Sequence, residues 1–166
     1  DIMQGLLLAT ASSRNYFYVQ TPYLLPTEPV LLALKTAALS GVDVRIMVPK
    51  RGDSKWIHWG TMSYFEELME AGVKIYRYNK GFLHSKLWVS DDCFFSIGST
   101  NMDFRSFEHN FEVNAFVYNS ASAMEVKQLF LSDQKDAELL LLKEWRMRPW
   151  SRKIMESVIR LLSPLL

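Results

Sequence analysis

Over residues 16–78, three short runs rich in β-branched and aromatic residues alternate with two segments of helical period. No other feature of the chain restricts its fold as much. The runs cover 16–19, 42–48 and 73–78, and each reads as a strand, because branched and aromatic side chains pack well on a pleated surface. Between the first two, Thr27 stands as an N-cap before Glu28. Val30, Leu31, Leu34, Ala38 and Leu39 then recur at helical spacing until Gly41 stops the pattern. Between the second and third, a polar loop over 49–54 leads into a helix over 56–71, with Phe65, Leu68 and Met69 apolar and Gly72 as its cap. Strand, helix, strand, helix, strand at this spacing predicts right-handed crossovers between parallel strands. A further helix over 2–11 precedes the unit, and one α/β domain over 1–166 is expected, a mixed β-sheet flanked by helices.

Composition supports a packed domain and narrows its partners. The chain is 49% hydrophobic and 22% charged, which suits a globular core. A net charge of +1 supplies no basic field, so no nucleic-acid partner is expected. Cys93 is the one cysteine, so no internal disulfide forms. No apolar run approaches the ~20 residues that a bilayer-spanning helix needs, and no secretory signal is visible. The piece of chain in hand is therefore expected to be soluble.

The polar chemistry collects in 84–112. Residues 84–91, His-Ser-Lys-Leu-Trp-Val-Ser-Asp, read as a strand that places His84 and Lys86 on one face and Ser85, Leu87 and Val89 on the other. A second strand over 94–97 delivers Ser99 and Asn101 just past Gly98, and a third over 111–118 carries Glu112. A phosphodiester suits these groups. Histidine can attack phosphorus or pass a proton to a leaving alcohol. Lysine, serine and asparagine offer donors to the non-bridging oxygens as charge develops on them. A carboxylate behind the imidazole would hold its tautomer, and Glu112 is the candidate. Asp91 falls on the opposite face from His84, so its expected role is to hold the turn that comes after it. No Asp, Glu, Cys or His cluster has metal-ligand spacing, so neither a metal nor another cofactor is expected.

At this point the residues form a recognisable set. His84, Lys86 and Asp91 match HxKxxxxD, and Gly98, Ser99 and Asn101 match the GSxN element downstream of it. Together they resemble the phospholipase D superfamily. Thr21-Pro22-Tyr23, Gly81-Phe82-Leu83-His84, Asp103-Phe104-Arg105-Ser106 and the terminal Leu161-Leu162-Ser163-Pro164-Leu165-Leu166 are similar to the C-terminal half of bacterial cardiolipin synthases. The resemblance implies a catalytic set of His84, Lys86, Asp91, Asn101 and Glu112, with Lys86, Ser99 and Asn101 on the substrate phosphate and Asp91 supporting the fold. It implies phosphatidyl transfer between two phosphatidylglycerol molecules through a phosphohistidine, giving cardiolipin and glycerol. The C-terminal motif would be the acid/base.

Such enzymes carry two HxKxxxxD copies, whereas His58 and His109 have no lysine two residues on. The chain also begins at Asp1 without a methionine. It is expected to be half of a longer protein, with membrane helices and the first motif upstream, resident at the bacterial membrane with a cytoplasmic catalytic domain. A hydrolytic phospholipase D, or another phosphodiesterase of the superfamily, is the alternative. An inactive half-domain, or a homodimer pairing two His84 motifs, is the other.

Two expectations concern the end of the chain. Residues 126–146 read as a helix, and 146–166 as a basic amphipathic one that starts near Pro149. Its apolar side chains, Trp150, Ile154, Val158, Leu161 and Leu165, are expected to dock on the domain's own core, with a membrane surface as the other possibility.

Overall fold

The computed structural model describes residues 1–162. Helix α1 (Ile2–Ser12) opens with a capping box between Asp1 and Gln4 and delivers the chain to β1 (Tyr16–Gln20), which is buried along its whole length. Helix α2 (Glu28–Leu39) then leads to β3 (Asp43–Pro49). Helices α3 (Lys55–Ser63) and α4 (Phe65–Glu70) lead to β4 (Lys74–Tyr78). β1, β3 and β4 pair in parallel, Phe17 opposite Val44 and Ile46 opposite Ile75, as the alternating pattern predicts.

The second half turns the sheet mixed. β5 (Leu87–Ser90) runs antiparallel to β1, β6 (Phe94–Gly98) antiparallel to β5, and β8 (Asn114–Val117) antiparallel to β6. β9 (Ala137–Leu139) closes the far edge against β4, so the seven strands run in the order β8-β6-β5-β1-β3-β4-β9. Two short strands, β2 (Leu24–Leu25) and β7 (Met102–Asp103), pair in parallel as a separate clasp.

Alternation along β1 builds a core on each face. Phe17 and Val19 join Leu34, Ile46, Leu68 and Trp88 under α1, α2 and α4. Tyr16 and Tyr18 point the other way, to Met47, Val89 and Phe130, under α6 (Ser120–Gln134). Tyr18 stacks on Phe130 at 4.8 Å, and burial pushes its hydroxyl pKa up to about 12. Helices on both faces of a mixed sheet make the expected α/β class.

Several expected boundaries move. The helix over 56–71 is two helices that break at Tyr64. On α2, Leu39 is exposed and Ala37 takes its place in the core. The strand over 84–91 begins only at Leu87, and that over 111–118 shrinks to Asn114–Val117, which leaves Glu112 in a loop. The helix over 126–146 gives way to the end of α6, then β9, then α7 (Leu142–Arg146). The last helix, α8 (Trp150–Leu161), starts one residue after Pro149. Its apolar face does not dock on the core: Trp150, Ile154, Val158 and Leu161 are exposed, and the buried residues are Glu156 and Ile159. Leu165, expected on that face, lies outside the described residues.

Candidate active site

The polar residues of 84–112 gather where β5 enters the sheet and β6 leaves it. Ser85 fixes the entry. Its hydroxyl donates to Oε1 of Gln20 at 2.7 Å, and Gln20, only 3% exposed at the end of β1, donates through Nε2 to Asp133 on α6 at 2.8 Å. Gln20 belongs to no motif, although a polar residue closing a wholly buried strand is a signal in itself. With Ser85 tied inward, its neighbours His84 and Lys86 are the residues left to face the cleft.

His84 is exposed, and its ring stacks on Phe82 at 5.5 Å. The expected pairing with Glu112 is absent: among the described residues the imidazole forms no hydrogen bond, and the Glu112 carboxylate is taken by others. Its Oε2 accepts a short hydrogen bond from Ser99 Oγ, and its Oε1 accepts from Asn110 Nδ2 at 3.2 Å. The cause is the loop. With β8 starting at Asn114, Glu112 is held against the Gly98-Ser99 turn and not in register behind His84.

Lys86 is 9% exposed, forms no ion pair among the described residues, and donates Nζ to the carbonyl of His84 at 2.8 Å. Burial holds its pKa below the ordinary lysine value, against the opposing pull of Glu112 and Asp103. A buried ammonium without a carboxylate partner is costly on its own and is a ready seat for an anion.

Gly98 explains the first letter of GSxN. A Cβ there would overlap the backbone carbonyl of Val113 and lie 2.6 Å from Asn114 Cα, so only glycine lets β6 pass β8 this closely. The crossing lets Ser99 N–H donate to the Val113 carbonyl at 2.9 Å while Val113 N–H donates to Ser99 Oγ at 3.0 Å. Ser99 is thus already engaged by the loop. Asn101 is freer: its side-chain Oδ1 is buried with no hydrogen-bond partner. The β2–β7 clasp fixes the residues just beyond it, as Met102 N–H donates to Thr21 Oγ1 at 3.2 Å and Asp103 caps α5 (Phe104–Glu108). His109 is exposed and packs edge-on against Phe104.

Asp91 stands at the other end of β5 from His84. It adopts a left-handed φ of 52°, and its carboxylate accepts from the backbone N–H groups of Arg14 (2.6 Å), Asn15 (2.9 Å) and Tyr16 (2.9 Å). It ties the β5–β6 turn to the start of β1, and its carboxylate is occupied by these backbone N–H groups, the kind of contact a supporting residue makes. Among the described residues no three His, Cys, Asp or Glu side chains come together as a metal cluster.

The mixed sheet with helices on both faces is the fold of a phospholipase D-type domain. It superimposes on Nuc, a phospholipase D family member from Salmonella typhimurium, with a TM-score of 0.72 at 19% identity, covering 83% of this chain and 90% of that one. It also superimposes on the phosphatidylserine synthase of Haemophilus influenzae, with a TM-score of 0.74 at 15% identity, covering 99% and 44%. The family model described as cardiolipin synthase, PLD-like domain, matches residues 7–134, and the chain belongs to that family. It is 52% identical over 167 residues to the cardiolipin synthase of Geobacillus sp. (strain WCH70), covering 100% of this chain and 33% of that protein. The chain thus spans about a third of the length of the curated relative it matches.

Proposed function

We propose that this domain is one half-site of a cardiolipin synthase, an enzyme that transfers a phosphatidyl group between two phosphatidylglycerol molecules and releases glycerol. The observation that carries the reading is the buried, unpaired Lys86 beside an exposed His84 and an unpartnered Asn101. Those three groups suit a phosphodiester, with Lys86 Nζ and the Asn101 Nδ2 amide as donors to its non-bridging oxygens. Ser99 acts indirectly by holding Glu112, whose charge opposes the lowering of the Lys86 pKa by burial.

The second histidine comes from the N-terminal half of the longer protein. In the first step its ring nitrogen bonds to the donor phosphorus and the phosphorus–oxygen bond to glycerol breaks. His84, as imidazolium, gives its proton to the departing alkoxide. In the second step, neutral His84 takes the proton of an acceptor hydroxyl as that oxygen bonds to phosphorus and the phosphorus–nitrogen bond breaks. Donor and acceptor both arrive from a membrane surface, and we place the full-length protein at the bacterial membrane with this domain on the cytoplasmic side. Among the described residues no helix is long and apolar enough to cross a bilayer.

His84→Ala in the full-length protein tests the reading. Cardiolipin formation from phosphatidylglycerol should fall by about a thousandfold or more while the thermal transition stays in place. Retained transfer overturns the assignment. Light scattering on the active species decides between the N-terminal half and a second copy of this chain as the source of the other histidine.

A further inference from the structure

Helix α8 is amphipathic the wrong way round for a helix that packs on its own domain. At about 100° per residue, Trp150, Ile154, Val158 and Leu161 fall within an arc of roughly 80°. All four face outward, Trp150 74% and Leu161 81% exposed, and exposed Met155 and Leu162 widen the stripe on one side. The inward face sets one apolar side chain, Ile159, among charged ones. Glu156, 3% exposed, accepts from Arg148, and Arg160 donates to Glu67 of α4 at 2.6 Å. Ile159 and the ion pairs thus hold α8 to the body and leave its outward apolar stripe uncovered among the described residues. A stripe of this size on a helix that the fold goes out of its way to orient outward marks a binding surface.

We propose that α8 lies in the headgroup layer of an anionic bilayer, apolar stripe down, and holds the half-site at the surface from which lipid enters. This deepens the proposed function and rests on it for the identity of the lipid. Charge singles out this occupant. The only acid of α8 is Glu156, which is buried and paired, whereas Arg152 and Lys153 flank the stripe on its two sides. In a protein–protein interface those cations would need acidic partners. At a bilayer their stems run along the acyl boundary while their heads reach the lipid phosphates, and Trp150 suits the same layer. The helix also lines a groove. A groove of about 580 Å³ runs between its C-terminal end (Ser157, Arg160, Leu161) and Leu25 and Phe104, and Phe104 comes directly after the Asn101-Met102-Asp103 segment. A bilayer under α8 would therefore offer a lipid chain to a groove walled in part by Phe104, three residues past Asn101.

The test uses the full-length protein with Cys93→Ser and Val158→Cys, an environment-sensitive fluorophore on the new thiol, and vesicles of phosphatidylglycerol. The emission should shift to the blue and be quenched by nitroxides on the lipid acyl chains but not by aqueous iodide. Replacing phosphatidylglycerol by phosphatidylcholine should weaken both effects. Iodide quenching would mean that the face stays in water. Protection from both quenchers would mean that protein covers it. Either result overturns the proposal, and Leu161→Cys, 81% exposed in the parent, repeats the measurement at a second position. A kinetic arm separates this idea from the proposed chemistry. Ile154→Glu with Val158→Glu should lower turnover of bilayer phosphatidylglycerol at least about tenfold, and leave turnover of a short-chain, monomeric phosphatidylglycerol within about twofold. Equal loss on both substrates, or none on either, overturns it. A parent protein inert on both substrates would instead sink the chemistry, and the fluorophore would still report where α8 sits.

Discussion

At the residue scale, Lys86 sets stability against function. Its side chain is buried without an ion pair among the described residues, so the fold bears a desolvation penalty that a bound phosphate would relieve. Lys86→Met should therefore raise the unfolding free energy by about 1 kcal/mol while lowering turnover by about a hundredfold or more. The pH dependence comes from the depressed pKa. Between the folded value and the ordinary lysine value of 10.5, the unfolded chain binds more protons than the native one, so stability attributable to Lys86 rises with pH. The advantage of Lys86→Met over the parent should shrink as pH climbs toward that value, and paired urea titrations at two alkaline pH values would show it. An advantage that stays constant would mean that Lys86 titrates as a free lysine. Gly98 makes a different demand. Gly98→Ala pushes a methyl into the backbone of Val113 and Asn114, which cannot swing aside as a side-chain tip would. About 1–3 kcal/mol of stability should be lost, together with activity, because Ser99 and Asn101 ride on the same crossing. A Gly98→Ala protein with parental melting would refute this account of the motif.

At the element scale, Asp91 is the tie between distant parts of the sheet. One carboxylate accepts the backbone N–H groups of Arg14, Asn15 and Tyr16, so it joins the α1–β1 link to the β5–β6 turn. Asp91→Ala also places alanine at a left-handed φ. The change should remove about 2–4 kcal/mol, read by denaturant midpoint, with kcat per folded molecule nearly intact. A loss of kcat without loss of stability would return Asp91 to the chemistry. Elements are readable in the sequence where a period is strong and the partner lies close by. Branched runs and a helical stripe suffice for β1, β3, β4 and their two crossovers. Elements that tertiary pairing decides are not readable in this way. Ala137-Glu138-Leu139 is a helix-prone string, yet it forms β9 because β4 offers an open edge and Glu138 meets both Lys50 and Arg77 at 3.0 Å. Glu112 departs from its expected place for a related reason. The resemblance implies a carboxylate behind His84 on a strand over 111–118, but the Ser99 and Asn110 contacts govern there instead, and no local pattern announces them.

At the scale of the whole molecule, α8 is held by charge where most surface helices are held by their apolar side. Arg148 sits at the centre. It meets Glu66 of α4 at 2.8 Å and Glu156 of α8 at 2.9 Å, donates to the Trp145 carbonyl at 2.8 Å, and lies over the Trp145 ring at 4.7 Å. Arg148 and Glu66 have pKa values shifted in opposite directions. Burial tends to lower that of Arg148, but Glu156 and Glu66 raise it on balance, while the hydrogen bond from Arg148 holds the Glu66 carboxyl below its ordinary range. Removing one partner differs from removing the set. Arg148→Met leaves the Glu156 side chain, 3% exposed, with its hydrogen-bond partner gone, and about 3–5 kcal/mol should be lost. Glu156→Leu added to it replaces the stranded carboxylate with apolar volume and should restore most of that loss. The pair would then show a coupling of opposite sign to the single change in a double-mutant cycle. Limited proteolysis within Trp150–Leu161 reports whether α8 has come away in each variant. If neither variant loses stability, the ion pairs are ornamental and Ile159 alone seats the helix. If the double variant recovers, the clamp is what leaves α8 free to spend its apolar side on something outside the domain.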